Sequence, residues 1–533
     1  MIRYENHLLS SKSIYMNKST ILRNQIQLIT YADSLGKNFH ELAIALDTHF
    51  KGVVSGVHVL PFYPSSSDRG FSPLTHFEVD PVFGTWADVQ LITAQHDFMS
   101  DVVLNHVSKQ SIWFQDYLAK GDASEYADYF ITAEKFSHRI KKHRDQLPEA
   151  VRTVEKIVSK IRAADKLFHL GGVSKAVLKK IYRPRPGTPF VEMEFKDGTK
   201  KQIWCTFSND QIDVDINNPK VRQYFKDVLV FLAEKGIKLV RLDAFGYAAK
   251  ERDTNNFLIP QAYAFVDELA QVAHAHGMAI LPEVHNHYSF QIKLAQTPGV
   301  DYVYDFALPL LIMNALFTKN KGNLKHWIDI RPQNCVTTLD THDGLPVPDV
   351  EDLMPEAERQ LVCETIRKNG GKDALRASGT NSDNLDVYQI NCTYYSALGE
   401  SDDAYIMARA LQYFVPGIPQ VYYVGLLAGK NDPERLDRTG VGREINRHAY
   451  SLEEIALEMQ RPVVKRLFQL SLFRNTYAAL NGEFCVKDSP EHQMILGWKN
   501  DSAECELKVD FQTLISTLEY TDTSTGRPVS LIL

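Results

Sequence analysis

Lys238-Leu239-Val240-Arg241-Leu242-Asp243-Ala244 is an apolar run that ends on a carboxylate. Its aliphatic and β-branched residues read as a buried strand, and residues two apart on a strand share a face, so Arg241 and Asp243 point the same way. A guanidinium beside a carboxylate favours the ionised form, which is the form a covalent nucleophile needs. Taken alone, the pair reads first as a structural cap on the strand. The pattern recurs, however. Ala279-Ile280-Leu281-Pro282-Glu283-Val284-His285 is a second apolar run ending on an acid, and Cys335-Val336-Thr337-Thr338-Leu339-Asp340-Thr341-His342-Asp343 is a third. Three unrelated caps do not explain three acidic strand ends in one chain.

Outward from these runs the chain alternates strand and helix. Strands are expected at Gln25–Tyr31, Val53–Leu60, Phe98–Leu104, Ile237–Asp243, Met278–Glu283, Tyr302–Phe306, Cys335–Asp340 and Gln420–Val424, with helical spacing between them. About eight such units predict an α/β fold of the (β/α)8 TIM-barrel type, where catalytic groups gather at strand C-termini. A doubly wound sheet is the alternative. It calls for a Gly-rich phosphate turn after the first strand, and Tyr31-Ala32-Asp33-Ser34-Leu35-Gly36 fits that poorly.

Two inserted domains interrupt the alternation after strands 3 and 7, and a small C-terminal β domain closes the chain. The expected division is an N-terminal extension (1–24), barrel segments 25–106, 218–344 and 392–479, insertions 107–217 and 345–391, and a β domain over 480–533. In the first insertion Val151, Val154, Ile157, Val158, Ile161 and Leu167 recur at helical spacing on a basic background, as in a helix that buries one face. The second holds an expected helix, Pro355–Lys368, and an expected loop, Arg376–Asn384.

A net charge of -7 over 533 residues is too mild for a chain whose main partner is nucleic acid or an anionic membrane. The six cysteines lack metal-ligand spacing, the first 24 residues lack an apolar signal core, and no run approaches a membrane span. A cytoplasmic enzyme is the expectation.

Asp101-Val102-Val103-Leu104-Asn105-His106, Arg241-Leu242-Asp243-Ala244, Leu281-Pro282-Glu283-Val284 and Thr341-His342-Asp343 resemble, in order, the four motifs of the α-amylase superfamily of retaining glycoside enzymes. Gly56-Val57-His58-Val59-Leu60-Pro61, Tyr182-Arg183-Pro184-Arg185-Pro186-Gly187, Tyr302-Val303-Tyr304-Asp305-Phe306 and Gly442-Arg443-Glu444-Ile445-Asn446-Arg447-His448 resemble its sucrose phosphorylase branch. The likeness runs from about residue 24 to 480 and departs in the N-terminal extension and the basic stretch around 137–180.

That resemblance implies roles. Asp243 would be the nucleophile, Glu283 the acid/base and Asp343 the stabiliser of the oxocarbenium-like transition state. Retention requires the first two carboxyls about 5–5.5 Å apart, which neighbouring strand ends about 4.8 Å apart can deliver. Sugar contacts would come from Asp68, Phe71, His106, Phe207, Gln211, Arg241, Tyr247, His285, His342, Gln389 and Arg443. Asp101 would support the barrel.

The same glucosyl ester can be opened by water or by phosphate, so the carboxylates do not separate a hydrolase from a phosphorylase. A phosphorolytic site needs a fixed cation beside the acids. Arg185, stiffened by Pro184 and Pro186, is the candidate, with the Tyr388 hydroxyl and Asp386 on the same side; Arg183 reads as a surface or structural arginine. The substrates would be sucrose or a related α-glucoside and inorganic phosphate, through a β-glucosyl-aspartate intermediate. The 6'-phosphate, glucosylglycerol and glucosylglycerate relatives of the branch, a plain α-glucosidase and a catalytically dead scaffold all stay open, as does a homodimer. No metal and no organic cofactor is implied.

Overall fold

A computed structural model describes residues 21–139, 169–170, 172–185, 187–378 and 381–533, without the side chains of 169–170, 376–378 and 381–386. The basic stretch read as a helix around Val151–Leu167, nearly all of the N-terminal extension, and Pro186 lie outside the described residues.

Eight parallel strands form one sheet: β1 (Gln27–Thr30), β2 (Gly56–Val59), β3 (Asp97–Val103), β4 (Leu239–Asp243), β5 (Ala279–Pro282), β6 (Val303–Asp305), β7 (Cys335–Thr337) and β8 (Ile418–Tyr422). Their order is β5-β4-β3-β2-β1-β8-β7-β6. The two ends of the sheet approach each other, and the Tyr302 N–H donates to the Ile280 carbonyl at 3.3 Å. The result is a nearly closed barrel with helices around it, as the strand–helix alternation predicts.

The period of two sorts the side chains. Leu239 packs inside the barrel with Met99, Ala279, Leu281, Tyr304, Val336 and Ile418, while Val240 and Leu242 face the main core under the helices. Arg241 and Asp243 therefore share the inward face with Leu239. Leu22 joins the inner cluster from the segment entering β1. The outer layer is illustrated by the helix Pro219–Glu234. Asn218 caps it by accepting from the Lys220 N–H, Pro219 opens its first turn, and Val221, Phe225, Val228, Leu229 and Leu232 form the buried stripe. Burying each large apolar side chain stabilises by roughly 1.5–3 kcal/mol, so Leu229→Ala would cost about 2–5 kcal/mol.

Three local expectations change. β7 stops at Thr337, because Asp340 turns aside to accept two bonds from the buried Arg409 guanidinium at 2.7 and 2.8 Å. β8 lies two residues earlier than expected, because Tyr423–Leu426 is already helical. The described residues of the stretch read as a loop at Arg376–Asn384 belong to two paired antiparallel strands, Lys372–Ser378 and Asn381–Asn391, whose ladder supplies the order that their polar sequence does not announce. The helix before it runs Glu356–Lys368. At the C-terminus five antiparallel strands span Glu483–Ile532.

After β3 the chain makes a short antiparallel pair, His106–Ser108 with Gln211–Asp213, and a hairpin, Phe190–Glu194 with Lys200–Trp204. The first pair returns the inserted segment to the C-terminal mouth of the barrel. Among the described residues no helix is long and apolar enough to cross a membrane.

Candidate active site

At the C-terminal ends of the strands a cavity of about 600 Å³ opens. Asp243 ends β4, Glu283 follows β5, and Asp343 lies six residues beyond β7; all three line this one cavity. β4 and β5 pair in parallel with Leu242 opposite Pro282, and the Glu283 N–H donates to the Leu242 carbonyl at 3.1 Å. One guanidinium reaches two of the acids. Arg241 donates to Asp243 Oδ1 at 2.7 Å, and its other terminal nitrogen is 3.7 Å from Glu283 Oε1. Behind it Arg241 also pairs with Asp101, whose second oxygen is 2.6 Å from His58 Nε2, all fully buried.

This setting alters the charge expected for Asp243. Burial pushes its carboxyl upward; Arg241 opposes that, and the neighbouring Glu283 and Asp101 reinforce it. The net direction is up, to about 8, because burial and two neighbouring acids outweigh one guanidinium. The sequence suggests the Arg241–Asp243 contact but not the burial that outweighs it.

Asp343 behaves in the opposite way. Burial raises its carboxyl, but Arg443, His342 and His285 together hold it well below the usual carboxylate range. Arg443 pairs with Asp343 Oδ1 at 2.8 Å and donates to the Tyr388 hydroxyl at 3.1 Å. His285 lies 3.3 Å from Glu283 and 3.6 Å from Asp343, and these acids with Asp349 lift it above the ordinary imidazole range against its burial. Glu283, His285 and Asp343 bring potential ligand atoms within 4.8 Å of one another. The His285 imidazole stands between these two acids.

The Asn105 oxygen accepts from the buried Lys250 side chain at 2.5 Å. Lys250 also pairs with Asp213 at 2.6 Å and thereby ties β3 to the inserted segment.

Of the remaining predicted residues, Asp68, Phe71, His106, Phe207, Gln211, Tyr247, His285, His342, Gln389, Arg443, Pro184, Arg185 and Tyr388 line the cavity. Arg241 lies beneath it. Asp386 is on the hairpin strand, with its side chain outside the described set. His342 stacks on Phe71 at 5.0 Å, and its ring is held neutral by burial, against Asp343 and with three arginines nearby. His106 sits at the wall, but its Nε2 is 2.8 Å from the Phe71 carbonyl, which the Gln211 amide also reaches at 3.0 Å. These two side chains therefore grip the loop that carries Phe71 as well as facing the cavity. Arg183 is buried rather than at the surface and donates to the Gly187 carbonyl at 2.9 Å, across the base of the Arg185 loop.

Sequence reasoning missed Ser67, Asn209, Asp210, Phe257 and Val441, which also line the cavity. Asp210 stands beside the expected Gln211, but no pattern marks it. Phe257 reaches Tyr247, with ring centroids 4.7 Å apart, from a loop whose Asn256 and Leu258 have positive φ.

The chain is similar to known proteins. The family model described as alpha amylase, catalytic domain, matches residues 51–159. The chain is 43% identical over 501 residues to the sucrose phosphorylase of Agrobacterium vitis, covering 92% of this chain and 96% of that one. It is 40% identical over 508 residues to the glucosylglycerol phosphorylase of Marinobacter adhaerens, covering 95% and 98%. The chain belongs to the sucrose phosphorylase branch of the α-amylase superfamily. The crystal structure of the sucrose 6F-phosphate phosphorylase from Thermoanaerobacter thermosaccharolyticum matches with a TM-score of 0.86 at 40% identity, over 96% of this chain and 99% of that one.

Proposed function

We propose that this chain is a retaining glucoside phosphorylase that converts sucrose and phosphate to α-D-glucose 1-phosphate and fructose. The observation that carries this reading is the convergence of three acids on one cavity whose outer wall presents Arg185. Asp243 attacks the anomeric carbon while Glu283 gives its proton to the departing oxygen. The released fructose makes room for phosphate, which attacks the β-glucosyl ester as Glu283 takes a proton back. Asp343, anchored by Arg443, balances the positive charge that develops on the sugar ring. Phe71 and His342 form a flat wall for one sugar face.

Among the described residues, Arg185 and Arg443 are the arginines that line the cavity. Arg443 is committed to Asp343 and Tyr388, whereas Arg185 is half-buried and makes no ion pair among the described residues. One uncommitted guanidinium matches one phosphate dianion, which favours an uncharged acceptor over a sugar phosphate. The relatives named above act on sucrose, sucrose 6F-phosphate and glucosylglycerol, so identity alone does not choose among them.

The test is incubation with sucrose, sucrose 6'-phosphate and glucosylglycerol, each with and without phosphate, following glucose 1-phosphate and free glucose. Phosphate-dependent glucose 1-phosphate from sucrose is expected. Glucose release that phosphate leaves unchanged would make the enzyme an α-glucosidase.

A further inference from the structure

Pro64-Ser65-Ser66-Ser67-Asp68-Arg69-Gly70-Phe71 places two cavity-lining side chains, Asp68 and Phe71, on either side of an unusual turn. Asp68, Arg69 and Gly70 have φ of 51°, 48° and 103°, three left-handed residues in succession. Glycine adopts this region freely, but aspartate and arginine do so only where their surroundings force it. Gly70 is also sterically required, because a Cβ there would lie 2.0 Å from the Pro61 carbonyl oxygen.

The surroundings supply that force from two sides. On the outer side Asp210 accepts from the hydroxyls of Ser66, Ser67 and Ser72 at 2.5, 2.6 and 3.0 Å. On the inner side the Arg69 guanidinium pairs with Asp33 at 2.5 Å and lies 4.1 Å above the Tyr31 ring. Tyr31 is itself buried, with Arg447 at 5.6 Å from its centroid and the edge of His342 at 6.1 Å. Arg69 does not line the cavity, yet its anchor is continuous with the ring system that forms the sugar wall.

We propose that Arg69 is a positioning residue: paired with Asp33 and stacked on Tyr31, its guanidinium holds the Asp68–Gly70 turn left-handed and so aims Asp68 into the glucose end of the cavity. This rests on the glucosyl-transfer reading above. The predicted consequence is specific to the sugar. Loosening the anchor lets the turn relax toward ordinary φ, which withdraws Asp68 from the ring but leaves Arg185, carried on a separate loop, untouched.

The experiment measures D-glucose binding by calorimetry, KM for sucrose and for phosphate, and the thermal midpoint, for the full chain. Arg69→Ala removes the anchor while keeping the backbone penalty, and should weaken glucose binding and raise the sucrose KM about tenfold, with the phosphate KM within about twofold of wild type. Arg69→Gly also removes the anchor but reaches the left-handed region without penalty, so it should bind glucose only about threefold more weakly than wild type. Asp33→Asn combined with Arg69→Ala should be no worse than Arg69→Ala alone. Rescue by glycine together with this non-additivity supports the assignment. A lower thermal midpoint with unchanged glucose binding, a glycine variant no better than alanine, or additive losses near a hundredfold in the double variant would each overturn it. A wild-type chain that binds no glucose would instead remove the functional reading, and with it the site that the anchor serves.

Discussion

At the floor of the cavity each acid sits at or beyond the end of a barrel strand and meets a basic side chain: Arg241 for Asp243 and Glu283, Arg443 and His285 for Asp343. At the lip, Arg185 and Tyr388 come from an inserted loop and a hairpin, and Arg185 carries a charge that no acid among the described residues balances. The floor is electrostatically closed on itself. The lip is open to an anion from solution. A compensated floor suits a step in which charge only shifts between fixed partners, whereas an uncompensated lip suits recognition of a charged cosubstrate. The difference separates the residues that set the reaction from those that set what completes it.

That separation can be broken most severely at the floor. Asp243→Asn removes the nucleophile, and turnover in both directions should fall on the order of 10⁴-fold, as when a catalytic triad member is disabled. Near-normal turnover would end the nucleophile assignment. Glu283→Gln should cost about 10²–10⁴-fold with sucrose, whose leaving group needs a proton, and far less with α-glucosyl fluoride, whose leaving group does not. Equal losses with both donors would mean that Glu283 is no acid. Arg185→Ala acts at the lip and should slow phosphorolysis about 10–100-fold, the worth of one charge-assisted contact, while glucosyl transfer from the fluoride to a neutral acceptor changes little. If both acceptors suffered alike, floor and lip would not be separate functions.

The floor was also the more legible half. Period-two strands leading to Asp243 and Glu283 can be read from residue type and spacing alone, because inward position follows from the pleat, although the depth of burial does not. Asp340 and Asp343 show where that logic stops. Both follow the same strand, and only the distant Arg409, which captures Asp340, decides which of them faces the cavity. His106 is another case: its place at a strand end suggests a sugar contact, but the hold on the Phe71 carbonyl depends on a loop thirty-five residues away. Asp210 belongs to the part that could not be read at all. Its three serine partners lie some 140 residues earlier in the chain, and no local pattern encodes that meeting.

The smallest effect sharpens the comparison within the floor itself. Asp343 is more acidic folded than unfolded, where an aspartate titrates near pH 3.9, so its charge stabilises the fold above that value, and the contribution is lost as pH falls toward the folded value. Asp243 is less acidic folded than unfolded, so the fold holds an extra proton above pH about 4, and ionising the group erodes stability as pH rises through that span. Asp343→Asn should therefore lower the thermal midpoint at neutral pH, all the more because Arg443 loses its partner, whereas Asp243→Asn should raise it. Both differences should be a few degrees; the Asp243 difference should shrink toward pH 4, whereas the Asp343 difference should persist to about pH 4 and shrink only below it. Thermal midpoints measured from pH 4 to 8 decide the matter. Shifts of the same sign for the two variants would mean that the floor treats its two aspartates alike, and the division of nucleophile from charge stabiliser would lose its electrostatic basis.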